Sequence, residues 1–379
     1  MPTKQRIFEL DALRGISLFG IILMNILAFS LPYEIALMSQ TIKGFNTVIL
    51  QLITLFVIGS FYPIFTFLFG YGLGIMFEHS QIRKVRFYPI IYRRLSFLIV
   101  IGIIHGLFIF SGDILFGYAF TGLFAVLFIK MTAQKLMKIA SILFLLKILL
   151  IVIPIAMLNY VQGVYETNNY LGISLSQFID VKQNGDYLSF IKLNMLENLY
   201  SMLDVIMGSA FLEYLPYVLF GIAAHKMNLI ELMRTKRQSF LKWGSLITIL
   251  GYLIKAPFAI DYDNSAFAII NAVGGPIVAV GYIIIIVYLC QNEPTSQIMR
   301  VFKYPGKLSL SVYITQSIVF TFIFMGFALG LYYKLPLYQA YLMVIIFYGL
   351  QVIGCYYYLK IFNMGPIEWL WRKFTYLKS

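Results

Sequence analysis

Charge is scarce in this chain of 379 residues: Asp, Glu, Lys and Arg together make up 12%, where a soluble globular domain carries roughly a quarter. Cysteine is almost missing. Cys290 and Cys355 fall within apolar runs and lack the short spacing of a zinc site or a disulfide framework. Histidine is nearly as rare, and His79, His105 and His225 are too scattered to form a metal site. These shortages exclude an ordinary soluble enzyme, a disulfide scaffold and a metal centre. Instead, 60% of the chain is hydrophobic and 17% aromatic, which also excludes a disordered chain. The apolar residues run unbroken rather than alternating, so a transmembrane β-barrel does not fit. What remains is an all-α, polytopic helical membrane protein.

The length rule for a membrane span, roughly 20 apolar residues, predicts about ten transmembrane helices. They are expected at Leu13–Leu31, Val48–Phe77, Ile90–Phe110, Ile114–Ile129 and Ile139–Leu158, then Met202–Ala224, Ser245–Ile260, Phe267–Leu289, Leu308–Tyr332 and Leu337–Phe362. The second is long enough to be tilted or kinked at Pro63. Residues 1–379 read as one integral membrane domain. Residues 159–201 form its longest interruption, an extracytoplasmic, mildly acidic loop between the fifth and sixth spans. A loop of that length either covers a substrate mouth or is a plain connector. Gly70/Gly74, Gly102/Gly106 and Gly326/Gly330 have the spacing of close helix contacts.

The net charge of +13 is an orientation signal rather than a mark of nucleic-acid binding. Lys and Arg gather in alternate loops, as in Arg83, Lys84, Arg86, Arg93 and Arg94, or Arg234, Lys236, Arg237 and Lys242. The positive-inside rule then places both termini in the cytoplasm, with the protein in the cell membrane. No aromatic stacking platform accompanies the cations, so no nucleic-acid partner is expected. Glu9, Asp11 and Arg14 give the leader mixed charge, and the first span reads as retained rather than as a cleaved signal.

Ionisable groups inside a bilayer are costly, so the few in or beside the spans are the candidates for function. Asp11 and Arg14 stand three residues apart and are neighbours on a helix. Asn25 lies on the same face, about 16 Å further along the axis. His105 ends the third span, and Asp113 follows in a very short outer turn. A carboxylate beside an imidazole sets its tautomer and orientation, the usual arrangement of a general base. Packing is the competing explanation for each of these groups. Lys147 either pairs with Glu213 or snorkels to the interface, and Lys255 is a further cation within or near a span. After the last span, Gly365-Pro366-Ile367-Glu368-Trp369-Leu370-Trp371-Arg372 suits an amphipathic surface segment.

Several short runs, taken in order, resemble the YeiB-type bacterial membrane family, a domain-of-unknown-function family. They are Asp11-Ala12-Leu13-Arg14-Gly15 with Asn25, Phe65-Thr66-Phe67-Leu68-Phe69-Gly70-Tyr71-Gly72, and Arg93-Arg94 followed by His105 and Gly112-Asp113-Ile114-Leu115. Tyr313-Ile314-Thr315-Gln316-Ser317 and the Gly365–Arg372 ending complete the set. More distantly, the first span is similar to that of a broader group of membrane acyltransferases, including the heparan-glucosamine acetyltransferases. That resemblance implies acyl transfer from cytoplasmic acyl-CoA to an extracytoplasmic glycan or lipid hydroxyl or amine. The exopolysaccharide-type members of the group place a His where this chain has Asn25, which cannot serve as a base. The glucosamine acetyltransferases carry theirs in the following loop, and Pro32 to Asn46 here contains none.

The resulting expectation is an acyltransferase-like protein of the lipid bilayer, with acyl-CoA as co-substrate and no bound cofactor or metal. Arg14, oriented by Asp11, would meet the donor. His105 would be the base, supported by Asp113, and Asn25 would serve the oxyanion or a polar relay. The alternatives are a small-molecule or lipid transporter built on Lys147, Glu213 and Lys255, and a non-catalytic relative.

Overall fold

A bilayer offers the backbone no hydrogen bonds, so each apolar run satisfies its own N–H and C=O groups as a helix. The computed structural model describes residues 7–32, 42–154, 157, 169–170, 172–261 and 265–376. In chain order the described helices are α1 (Phe8–Ser30), α2 (Phe45–Phe56), α3 (Phe61–Ile82), α4 (Phe87–Phe108), α5 (Leu115–Ala125) and α6 (Ala133–Lys147). They continue as α7 (Leu175–Asn184), α8 (Tyr187–Asp204), α9 (Leu215–Lys226), α10 (Leu229–Thr235), α11 (Arg237–Ile260) and α12 (Ser265–Gln291). The last four are α13 (Thr295–Lys307), α14 (Ser309–Phe324), α15 (Leu337–Ile361) and α16 (Pro366–Thr375). A two-residue ladder, Asn169–Tyr170 against Ile173–Ser174, precedes α7.

Among the described residues seven stretches are long and apolar enough to cross a membrane, and they number eight if α13 and α14, bent by 79°, count as one span. The protein is thus an all-α polytopic membrane protein. The expected span at 114–129 is shorter than a full crossing: α5 has 11 residues and ends in a three-residue 3-10 turn. The expected span at 139–158 begins as α6 and continues as a π-helix over Ile148–Val152, and its far end lies outside the described residues. Residues 175–184 and 187–201, expected within the long loop, are helical. The helical stretch from Tyr187 runs through the π-helix Val205–Tyr214 to Lys226.

The second span is broken between α2 and α3 at residues 57–60, not at Pro63. Pro63 sits in the first turn of α3, where a missing N–H costs nothing. The turn is made by Gly59, whose φ of +75° suits a residue without a Cβ. A break inside a bilayer frees backbone acceptors, and Lys255 of α11 reaches them. Its fully buried Nζ donates to the Ile58 carbonyl at 2.7 Å and to Ser60 Oγ at 3.1 Å.

α1 is the most buried span, with 67% of its apolar stretch inside the protein. It can be central because small residues let other helices approach its backbone. A methyl group on Gly15 would fall 2.0 Å from the Phe302 carbonyl oxygen of α13, and one on Gly306 would fall 1.8 Å from that of Asp11. Gly70 of α3 likewise meets the Val218 backbone of α9. Gly326 and Gly330, expected as a helix contact, instead lie in the turn after α14, against Gln183 and Asn184.

Candidate functional site

His105 lies in the last turn of α4, and its neighbourhood differs from the shallow outer turn expected. Residues 109–114 fold back along α4, so that α5 begins beside Gly102 rather than beyond Phe108. A methyl group on Gly102 would lie 2.5 Å from the Phe116 nitrogen and 2.9 Å from Asp113 Oδ2. Six residues separate Gly102 from the end of α4, so the fold-back carries Asp113 about 9 Å down the helix. This is why α5 is short.

There the His105 Nδ1 meets Asp113 Oδ1 at 2.8 Å, with side-chain exposures of 1% and 0%. The other carboxylate oxygen, Oδ2, accepts the Phe116 N–H at 2.8 Å and caps the start of α5. In a neutral imidazole facing a carboxylate, which accepts only, Nδ1 is the nitrogen that carries the proton and Nε2 the one that keeps a lone pair. Nε2 is buried and has no hydrogen-bond partner among the described residues. The Tyr313 ring of α14 lies 5.0 Å from the imidazole, and its hydroxyl accepts the Ile114 N–H at 3.3 Å.

A polar brace from α8 holds the fold-back. Asn194 donates to the carbonyls of Gly106 and Leu107 and accepts the Ser111 N–H, while Asn198 donates to the Ser111 carbonyl. Glu197 accepts from Ser111 Oγ and pairs with Lys182 at 3.0 Å. Every polar group freed by the irregular backbone needs such a partner inside the bundle.

On the other side of Tyr313 lies a cavity of about 440 Å³. Four cations line it, Arg14, Arg94, Lys307 and Arg372, with one carboxylate, Glu368. Its apolar walls come from α3 and α4, and the lining extends to Tyr118, Ile114 and Tyr313. The α16 helix forms part of the wall and is docked from two sides. Trp371 stacks on the Arg94 guanidinium at 3.5 Å and donates Nε1–H to the Arg94 carbonyl. Glu368 accepts the N–H groups of Leu310 and Ser311, capping α14 from outside the helix.

The structure brings some predicted residues together and separates others. Asp11 and Arg14 form their ion pair at 3.3 Å, with Asp11 buried and Arg14 in the cavity lining. Asn25 is buried on α1 and does not line the cavity; Leu18 and Ile21 fill the face between it and Arg14. Lys147 and Glu213 pair at 2.6 Å, and the Tyr62 hydroxyl donates to the same carboxylate. His225 packs on Tyr71 and meets Glu78 at 3.1 Å. Arg234, outside the spans, donates two hydrogen bonds of 2.8 Å to Glu9 in the first turn of α1, which raise the guanidinium pKa further. The residues that sequence reasoning missed are Tyr313, Arg94, Glu368, Asn194 and Asn198. Arg94, Tyr313 and Glu368 stood in the family motifs, but only packing places them at the site.

A helical membrane bundle with a cation-lined cavity beside a buried His–Asp pair is the class of protein these observations define. Residues 224–378 match the model of a family described as Protein of unknown function (DUF418). The chain is similar to the uncharacterized protein YxaH of Bacillus subtilis, at 28% identity over 99% of this chain and 95% of that one. It is also similar to an uncharacterized 39.9 kDa protein in the amylase 3′ region of Bacillus acidopullulyticus, at 26% identity over 98% and 94% of the two chains. Against the uncharacterized protein YeiB of Escherichia coli the identity is 22%, over 98% and 96%. These matches run the length of the chain and show the YeiB-type resemblance read from its motifs. No solved structure matches.

Proposed function

We propose that the protein is a membrane-embedded acyltransferase that moves an acyl group from cytoplasmic acyl-CoA to a hydroxyl or amine of a glycan or lipid on the opposite face. One observation carries this reading. A cavity lined by Arg14, Arg94, Lys307 and Arg372 borders, through Tyr313, a buried His105–Asp113 pair whose Nε2 is unused. Guanidinium groups suit the phosphates of the donor. The cavity is of the size that holds a small ligand or a cofactor arm, and its apolar walls suit a pantetheine chain. His105 Nε2 would take the acceptor proton, and Asp113 would hold the imidazolium that forms. Asp11 orients Arg14. Asn25 would serve the acceptor side, away from the donor cavity. The loops rich in Lys and Arg, and both termini, would face the cytoplasm where acyl-CoA is found.

The test is donor binding. Acetyl-CoA should raise the thermal stability of the purified protein, and Arg14→Ala should lose the effect while remaining folded. Absence of any donor-induced shift in the unmodified protein would sink the proposal.

The break at residues 57–60 favours a second reading as a transporter, because interrupted helices commonly form intramembrane binding sites. Against it, the charges that reading needs are engaged elsewhere: Lys255 binds the break itself, and Lys147 pairs with Glu213. Substrate flux into proteoliposomes without any CoA would establish transport.

A further inference from the structure

Tyr313 belongs to both halves of the site. Its side chain lines the cavity, and its ring stands 5.0 Å from the His105 imidazole. A phenol hydroxyl has one proton to donate and lone pairs to accept with. The Tyr313 oxygen accepts the Ile114 N–H at 3.3 Å, and this bond fixes the hydroxyl beside the Asp113 turn. Among the described residues no acceptor takes the hydroxyl proton. A buried donor is thus held on a residue that lines the cavity and whose ring stands against the imidazole that carries the unused Nε2. Asn25, the oxyanion candidate suggested by sequence, is absent from the lining.

We infer that Tyr313 is the oxyanion donor of the transfer reaction, a role that rests on the acyl-transfer reading. The thioester carbonyl oxygen lies against the Tyr313 O–H when the donor fills the cavity. The acceptor oxygen or nitrogen attacks the carbonyl carbon, and its proton passes to His105 Nε2. The carbonyl π pair moves onto oxygen, where the Tyr313 O–H stabilises it without giving up its proton. Collapse of this intermediate re-forms the carbonyl and breaks the C–S bond. The CoA thiolate leaves with the proton from Nε2. The products are the acylated acceptor and CoA thiol, and both Tyr313 and His105 return to their starting states. A fixed neutral donor suits this task, because it need not reorganise as charge develops.

The ring of Tyr313 also packs on His105, so a packing role must be separated from a chemical one. Tyr313→Phe keeps the ring and removes only the hydroxyl. Protein in nanodiscs made from its native membrane lipids would be supplied with carbonyl-labelled acetyl-CoA and, in parallel, palmitoyl-CoA. Removal of one oxyanion donor typically lowers turnover by about 10²–10³-fold, and Tyr313→Phe should lose label transfer to that extent. Its KM for the donor should stay within a few-fold, as should its donor-induced thermal shift. The bound thioester carbonyl stretch should move to lower frequency in the unmodified protein and not in Tyr313→Phe. Difluorotyrosine at position 313 keeps ring and hydroxyl but donates more strongly, so it should enlarge the frequency shift. If Tyr313→Phe transfers label within about twofold of the unmodified protein, or shows the same carbonyl frequency, Tyr313 has no oxyanion role. An unmodified protein that binds and transfers neither donor overturns the acyl-transfer reading itself, and this assignment with it.

Discussion

The His105 imidazole and the Asp113 carboxylate meet at 2.8 Å, both buried, and that one carboxylate also caps α5 through the Phe116 N–H. Asp113 therefore has two separable jobs. Asp113→Asn keeps an acceptor for Phe116 but no longer fixes the proton on Nδ1. The expected result is a loss of label transfer of about 10²–10⁴-fold with nearly normal thermal stability. Asp113→Ala should lose the cap as well, lowering stability by about 1 kcal/mol. Measuring transfer and unfolding on both variants checks the division. An Asp113→Asn variant with full activity would leave the pair a packing device.

Lys147 and Glu213 meet at 2.6 Å where two π-helical stretches begin and end. Breaking a fully buried pair from one side costs about 3–5 kcal/mol. The Glu213 side chain is 25% exposed, so the lower end is expected. Lys147→Met leaves Glu213 with the Tyr62 hydroxyl, whereas Glu213→Gln leaves the ammonium without a counter-charge. Glu213→Gln should therefore be the more damaging single change, and the Lys147→Met/Glu213→Gln double variant should recover part of the loss. Thermal unfolding in detergent, run as a double-mutant cycle, reads the coupling directly. Additive effects would mean that the two groups act apart.

Much of this architecture was legible in the chain. Unbroken apolar runs identified the helical class and most of the spans, because a bilayer leaves helices as the simplest way to pair the backbone, but 114–129 is shorter than a full crossing. Asp11 with Arg14 followed from helical spacing, whereas Lys147 with Glu213 was one of two options, the other being snorkelling, and packing decided between them. The fold-back at residues 109–114 was not legible. It depends on Gly102 admitting the start of α5 and on Asn194 and Asn198 reaching across from α8. The break of the second span was misplaced for a related reason. Proline looks like the stronger breaker, yet a first-turn proline is harmless, and the turn at Gly59, φ +75°, frees a carbonyl whose partner, Lys255, comes from another helix. Glu368 caps α14 from 58 residues away, a contact that no local pattern announces.

The Lys255 contact makes its own prediction. With Lys255→Met, the Ile58 carbonyl loses its 2.7 Å partner in a site that excludes water. Leaving one buried backbone acceptor unpaired costs about 1–3 kcal/mol. The loss should be local first, so hydrogen exchange at residues 57–60 should speed up before global unfolding is detected. Exchange in that segment no faster than in the unmodified protein would show that the break holds without Lys255.

Glu9 and Arg234 tie α10 to the start of α1 through two parallel hydrogen bonds of 2.8 Å. The Glu9 side chain is 5% exposed and that of Arg234 42%. Charged hydrogen bonds of this kind contribute about 1.5–3 kcal/mol, and exposure of the guanidinium with screening by salt favours the lower end. Because the pair raises the Arg234 pKa above its unfolded value, the contribution is fully present below the unfolded pKa and would be lost only as pH rises through the folded one. Titration of Arg234 therefore gives no pH dependence below about pH 12. Arg234→Ala should lower the thermal midpoint, by less at high salt, and Arg234→Lys should restore only part because an ammonium cannot bridge both oxygens. The exchanged pair Glu9→Arg/Arg234→Glu should recover more stability than either single reversal. A double variant no better than the worse single would mean that the carboxylate at position 9 serves Asp11 and Arg14 next to it rather than α10.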